Sequence, residues 1–406
     1  MSSDDFCSEI SITGGIYREL CYWPNRNQLF GSAWRSVRVM RALSPNVKIR
    51  LVTAGDDVTA SLLKAYSTAE NLDFTVELEK KLISFSYKHP LDVPTVSGKP
   101  LEKLHLKAGG AYVIGFGMIE ATAEIKGKYV VYDPQSPKVP KWFRDQGGDA
   151  EHLALVMNKS EASILSGETE LQKIKRVIFE HEKCQVLVVK SGAQGAMVFC
   201  GKGDEGTHIP AYKTRHVWPI GSGDVFTTVF SYYWFKGISP VEASKKASKA
   251  AAAYCESDGD FENIPSLLKT NKFCEFIPSH KGRVYLAGPF FTLSEKLFVA
   301  ECRDILMAMG MEVFSPYHDV GEGKAEEVVH KDIAAIDECN CLFAILDGMD
   351  SGTLFEIGYA VKSGIKVVAY CENATDGELK MLVGTGCDVN TDFTTALYKA
   401  CWYAAE

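Results

Sequence analysis

The sequence predicts an α/β protein of two domains, each built on a mainly parallel sheet covered by helices, and three observations carry that prediction. The chain has 406 residues, too many for one ordinary domain. From Lys48 onward, short apolar runs alternate with helical segments, as in a series of βαβ units. A polar, proline-containing stretch, FIPSHKG at 276–282, then interrupts the series, and a second alternation begins after it. The expected domains are therefore 1–276 and 283–406.

In the first domain the expected strands are VKIRLVTAG (47–55), AYVIGFG (111–117), KYVVYDP (128–134), CQVLVVKSG (184–192) and AMVFCG (196–201). A long helix is expected from Asp224 to Lys236, and the Ala-rich run at 250–255 lies in another. The second domain reads as strand RVYLAG (283–288), a helix to Met309, strand MEVFSP (311–316) and a helix from Ala325. Strand CLFAILDG (341–348), a helix from Thr353, strand KVVAYC (366–371) and a last helix near 393–403 follow. That is a small doubly wound domain of flavodoxin or Rossmann type.

Composition narrows the function. A hydrophobic fraction of 46% is enough for full cores, no run approaches a membrane-spanning length, and the acidic start MSSDDFCSEI is unlike a signal peptide. A soluble, cytoplasmic protein is expected. The twelve cysteines are scattered without a CxxC pair, which argues for reduced thiols over a zinc site or disulfides. A net charge of −8 argues against a nucleic-acid polymer as partner. Small anions remain open, since backbone N–H groups at helix N-termini hold them whatever the overall charge.

In open parallel sheets, chemistry gathers past the carboxyl ends of the strands. Gly288, Pro289 and Phe290 follow the first strand of the second domain, Tyr317 and His318 the second, and Asp347, Asp350 and Glu356 the third. Glu356 is expected in the first turn of its helix, where the dipole favours an ionised carboxylate. Thr353 with Glu356 also reads as a capping box that needs no function. Asp350 reads equally as an Asx-type anchor, Asp332 as a solvent-facing helix residue, and His318 as a loop histidine.

The motifs YLAGPFF, D-x(7)-N across Asp332 and Asn340, and DSGTLFEIGYA together resemble the nucleoside 2-deoxyribosyltransferase family over roughly 281–403. The resemblance implies that Glu356 attacks the anomeric carbon of a nucleoside to form a glycosyl ester, with Tyr285 orienting it. Asp332 and Asp350 would contact the sugar hydroxyl and the base. Gly288, Pro289 and Phe290 would line the substrate site, and a neighbouring subunit would complete it, so a homo-oligomer acting on a nucleoside or nucleotide is implied. An oxocarbenium-like transition state suits this, because a fixed carboxylate stabilises its charge while a second acid protonates the leaving base.

In the first domain, Gly221-Ser222-Gly223 stands just ahead of a helix, where backbone N–H groups can approach phosphate, and Asp224 is placed to take a proton. An ordinary N-cap reads the same way. The order KYVVYDPQS, NKSEASILSG, VLVVKSGAQGAMVF, IPAY and GSGD resembles the PfkB family of sugar and nucleoside kinases, which implies a ribokinase-like three-layer fold. By that resemblance Asp224 is the catalytic base and Gly221 to Gly223 the anion hole. Asn158 and Glu161 organise magnesium and phosphate, with Glu161 toward the metal and ATP as cofactor. Three departures weaken the acceptor half: Trp218-Pro219-Ile220 replaces D-T-T, FGSAWRS from Phe30 only faintly echoes the sugar-gripping motif, and Glu19 is the nearest acidic residue to the missing aspartate. Two functions are expected in consequence. One is a bifunctional enzyme of nucleoside metabolism; the other is a glycosidase controlled by a kinase-like domain that binds nucleotide or sugar without transferring phosphate.

Overall fold

The computed structural model describes residues 9–69, 72–79, 81–136, 138–270, 272–321 and 323–406. The chain divides into two units: residues up to 191 with 195–214 and 218–274, and residues 192–194 and 215–217 with 275–406.

In the first unit a nine-stranded sheet runs, in spatial order, Thr207–Ile209, Ala196–Phe199, Val186–Lys190, Asp149–Asn158, Ala121–Asp133, Leu104–Phe116, Glu9–Thr13, Lys48–Gly55 and Leu72–Leu78. The strands pair in parallel except at one edge, where Ala196–Phe199 runs antiparallel to both neighbours. Lys48–Gly55 and Val186–Lys190 are buried nearly throughout, and so is the second half of Asp149–Asn158, as a sheet covered on both faces requires.

One crossover departs from the expected helix. Leu104–Phe116 and Ala121–Asp133 pair in parallel along thirteen residues, yet only residues 117–120 join them. Four residues span at most about 14 Å, far less than such a strand, so both strands must double back on themselves. Gly110, at φ +158°, and its register partner Gly127 mark the bend. The folded-back halves bury Leu106, Ala108, Ala123 and Ile125 in one cluster with Val113, Val130 and Leu155. Strand thus replaces helix as the cover over that part of the sheet. A separate small sheet is made of Arg26–Leu29, Arg18–Cys21, Ser84–Tyr87 and Thr95–Ser97.

Helix Ser222–Phe235 is apolar nearly all round because nearly all of it is buried, with Val225, Phe226, Val229 and Phe230 inside. Its neighbour Pro240–Glu256 starts on Ser239, whose side chain caps the Glu242 N–H.

The second unit is a five-stranded parallel sheet in the order Glu312–Phe314, Arg283–Ala287, Cys341–Ile345, Lys366–Tyr370, Asp388–Asn390. In chain order that is 2-1-3-4-5, the flavodoxin-like arrangement, with its switch point between Arg283–Ala287 and Cys341–Ile345. All five residues of Cys341–Ile345 are buried. Tyr285, Leu342, Ala344, Ile357 and Val367 share its core. Helix Asp376–Gly384 and strand Asp388–Asn390 add to the elements expected from sequence.

Candidate active sites

At the switch point of the second unit, Tyr285 donates a 2.6 Å hydrogen bond from its Oη to Glu356 Oε1. Tyr285 is fully buried on the first strand, and Glu356 stands on the helix that follows the third. The helix begins one turn earlier than the sequence suggests. It spans Ser351–Lys362 with Asp350 as N-cap, whose Oδ2 accepts from Thr353 N at 2.8 Å and Thr353 Oγ1 at 3.0 Å. Glu356 is therefore in the second turn, and no Thr353–Glu356 capping box forms. Aspartate is a better N-cap than threonine, and the Asp350 side chain reaching forward to the third helical N–H moves the start.

The electrostatics change accordingly. Burial pushes the Glu356 carboxyl up to about 7; the Tyr285 hydrogen bond lowers it, while the charges of Asp332 and Asp350 raise it. Burial likewise raises the Tyr285 hydroxyl, helped by Glu356. Asp332 lies on helix Ala325–Asp337, half-buried rather than solvent-facing; burial raises its carboxyl, and its Oδ1 is buried without a hydrogen-bond partner. The fold thus gathers Tyr285, Asp332, Asp350 and Glu356.

Gly288 leaves the first strand where a Cβ would press to 3.1 Å on Ile345 Cβ. Phe290 stacks on Tyr317 at 5.6 Å and on Phe291 at 5.7 Å, with Pro289 buried beside it. His318 contacts Ser315 Oγ through Nδ1 at 3.0 Å, and burial lowers its pKa. Asp347 accepts from Glu372 N and Asn373 N, and Asn340 accepts from Arg283 N, so both anchor loops.

In the first unit, Asn158 and Glu161 do form a capping box on helix Lys159–Ser166: Asn158 Oδ1 accepts from Glu161 N at 2.8 Å and Glu161 Oε2 from Asn158 N at 2.9 Å. Burial, with Asp133 nearby, pushes Glu161 up to about 7. Gly221 takes φ +86° as N-cap of Ser222–Phe235 and brings Asp224 into the first turn.

Both oxygens of Asp224 are engaged. Arg35 donates to Oδ2 at 2.6 Å and Gln135 Nε2 to Oδ1. Arg35 also donates to Glu19 Oε2 at 2.6 Å, and Glu19 Oε1 accepts from Gly31 N. The residues suspected of being a decayed acceptor site therefore form a buried Glu19–Arg35–Asp224 triad. On the other side of the glycine turn, Lys190 donates to Asp133 Oδ2 at 2.7 Å, as does Thr227 Oγ1 at 2.8 Å. Sequence reasoning did not single out Arg35, Gln135, Asp133 or Lys190. The available signal was a charged residue closing an apolar strand, Asp133 after YVVY and Lys190 after VLVV.

Residues 118–267 match the model of the pfkB family of carbohydrate kinases, and residues 284–390 that of nucleoside 2-deoxyribosyltransferase. The chain joins a PfkB-type domain to a nucleoside 2-deoxyribosyltransferase-type domain. Curated relatives of the PfkB-type domain include ribokinase of Mus musculus, 29% identical over 27% of this chain and 35% of that one. A 5-dehydro-2-deoxygluconokinase of Listeria monocytogenes is 28% identical over 25% and 30%. The chain spans about a third of the length of these relatives. Among solved structures, ribokinase from Thermotoga maritima gives 18% identity and a TM-score of 0.49 over 65% of this chain and all of that one. Fructokinase from Vibrio cholerae O395 gives 13% and 0.49 over 64% and 99%. The first unit is α/β on a nine-stranded, mainly parallel sheet, and the second carries a smaller parallel sheet. Among the described residues no helix is long and apolar enough to cross a membrane.

Proposed function

We propose that the nucleoside 2-deoxyribosyltransferase-type domain breaks the N-glycosidic bond of a nucleoside or nucleotide, with Glu356 as nucleophile. The observation that carries this is the Tyr285–Glu356 hydrogen bond at the switch point, with two further carboxylates beside it. Ionised Glu356 attacks the anomeric carbon, and the bond to the base breaks as the base takes a proton from an acid, for which Asp350 is the candidate. The glycosyl ester is then resolved by water or a second base. Asp332, with its unpartnered Oδ1, is suited to accept from a sugar hydroxyl. The stacked face of Phe290 and Tyr317 offers a flat apolar wall to a base. Glu356→Ala should abolish base release, followed by liquid chromatography, in a protein whose circular dichroism is unchanged; retained turnover would sink the assignment.

For the PfkB-type domain, one observation favours ligand binding without phosphoryl transfer. Both oxygens of Asp224 are taken, one by the Arg35 guanidinium and one by the Gln135 amide, so neither stands free to accept from a substrate hydroxyl. ATP is the nucleotide the family expects here. The turn at Gly221 to Gly223, at a helix N-terminus, suits its phosphates. Glu161, the expected metal residue, instead has its carboxyl on backbone N–H groups, and Lys190 holds Asp133. Of these residues the Lys190 ammonium suits phosphate, and it already occupies the Asp133 carboxylate. ADP formation from ATP, magnesium and ribose or deoxyribose would restore the bifunctional kinase reading. ATP binding that changes the base-release rate without ATP consumption supports the sensor reading.

Self-association is part of the proposal. Phe291, Leu293, Leu297 and Phe355 are 62–74% exposed on or beside the helices flanking the glycosyl site. Large exposed apolar side chains gathered this way suit an interface. Light scattering showing a monomer at micromolar concentration would refute it.

A further inference from the structure

The glycine turn of the PfkB-type domain is flanked by two cations, one buried and one partly buried, that the proposed glycosyl chemistry does not use. On one side lies Arg35, 2% exposed: a side chain at Gly221 would run into its guanidinium, and its Nε is buried without a hydrogen-bond partner. On the other lies Lys190, whose Nζ stands 3.4 Å from where a Cβ of Gly223 would be. The ammonium is held at 2.7 Å by fully buried Asp133, and Glu161 is close enough to act on both charges. Two carboxylates facing a glycine turn are what a divalent ion needs to bridge protein and phosphate. Here an ammonium is bonded to one of them and lies near the other.

We propose that this turn binds the phosphate groups of a small-molecule di- or triphosphate without a divalent cation, the Lys190 ammonium taking the place of the metal. The inference rests on the reading of this domain as a ligand-binding unit. An ammonium carries three N–H donors and spends one on Asp133, so donors remain for phosphate oxygens beside the N–H groups of the turn. A dication at the unpartnered Oδ1 of Asp133 would lie within one carboxylate of that ammonium. Two like charges so close in a water-poor site repel strongly. Arg35 faces Gly221 but is shared between Glu19 and Asp224, so it shapes the turn, and Lys190 supplies the charge.

Calorimetric titration of the full-length protein with pyrophosphate and with ADP, in magnesium and in EDTA, tests this. Binding in EDTA within about threefold of that in magnesium is expected, since a fixed ammonium already supplies the counter-charge. Lys190→Met should weaken binding in EDTA by about tenfold or more, and magnesium should restore it, because the ammonium that would repel the ion is gone while Asp133 Oδ1 stays without a partner. Binding by the unaltered protein only in magnesium would overturn the role of Lys190 while leaving the ligand-binding reading intact. Absence of binding in both buffers would overturn both. The comparison on the unaltered protein needs no variant, so a Lys190→Met protein that fails to fold does not remove the test.

Discussion

Replacing Tyr285 with Phe removes one hydroxyl from a site whose activity should depend on the ionisation of Glu356. The buried carboxyl of Glu356 is pushed up to about 7 even with the Tyr285 bond lowering it. A hydrogen bond to a charged group contributes about 1.5–3 kcal/mol. At about 1.4 kcal/mol per pKa unit, its loss should raise the carboxyl by a further 1–2 units, to about 8–9. The active species is the carboxylate, so the acid limb of kcat/KM for base release should lie near pH 7 in the native protein and move upward in Tyr285→Phe. At pH 7 the variant would be roughly 5- to 50-fold slower, and near pH 10 it would approach the native rate. Chromatographic assay of base release from pH 5 to 10 reads both limbs. A limb that stays in place while the whole profile drops would refute the electrostatic role of Tyr285. A native limb near 4.5 would refute the burial argument itself.

The raised Glu356 also carries a stability cost with a defined sign. Below about pH 4.5 both folded and unfolded chains hold the proton, so there is no cost; as pH rises to about 7 the unfolded chain ionises first and folding is penalised. Glu356→Gln should therefore stabilise the protein by up to about 3 kcal/mol at pH 8 and about 1 at pH 5, read by denaturant titration. Asp350→Asn should keep the helix cap within a few tenths of a kcal/mol. Any large loss of base release in that variant then measures the acid rather than the cap. Arg35→Leu should leave Glu19 and Asp224 as unpaired buried carboxylates and cost about 3–5 kcal/mol, which a fall in melting temperature at pH 7.5 would report.

Alternation of apolar runs made the second sheet legible almost strand by strand, because Arg283–Ala287, Cys341–Ile345 and Lys366–Tyr370 are short, mostly buried runs bounded by turn residues. The small four-stranded sheet was not legible: Arg18–Cys21 and Arg26–Leu29 are largely polar and only partly buried, so they carry no periodic signal. Asp149–Asn158 was missed because its exposed first half hides the apolar LALVM that follows. The folded-back pair at Leu104 and Ala121 reads as ordinary strand in sequence. What makes it double back is the shortness of residues 117–120, a constraint of chain length rather than of composition.

The candidate sites were legible to different degrees for a physical reason. Tyr285, Asp332, Asp350 and Glu356 are separate in sequence, yet the 2-1-3-4-5 order fixes where strands one and three end, so a motif at each end predicts their meeting. The triad of Glu19, Arg35 and Asp224 has no such rule, since it depends on where one long arginine side chain points. Arg35 was visible only as an oddity in FGSAWRS. Its pairing bears on the GSGD motif: the aspartate that a kinase would use as base is here held in an ion pair with a buried guanidinium. A motif reports that a carboxylate is present at a helix N-terminus, whereas its chemistry is set by what faces it. For Glu356 the facing group is a neutral hydroxyl on one oxygen; for Asp224 it is a guanidinium on one oxygen and an amide on the other.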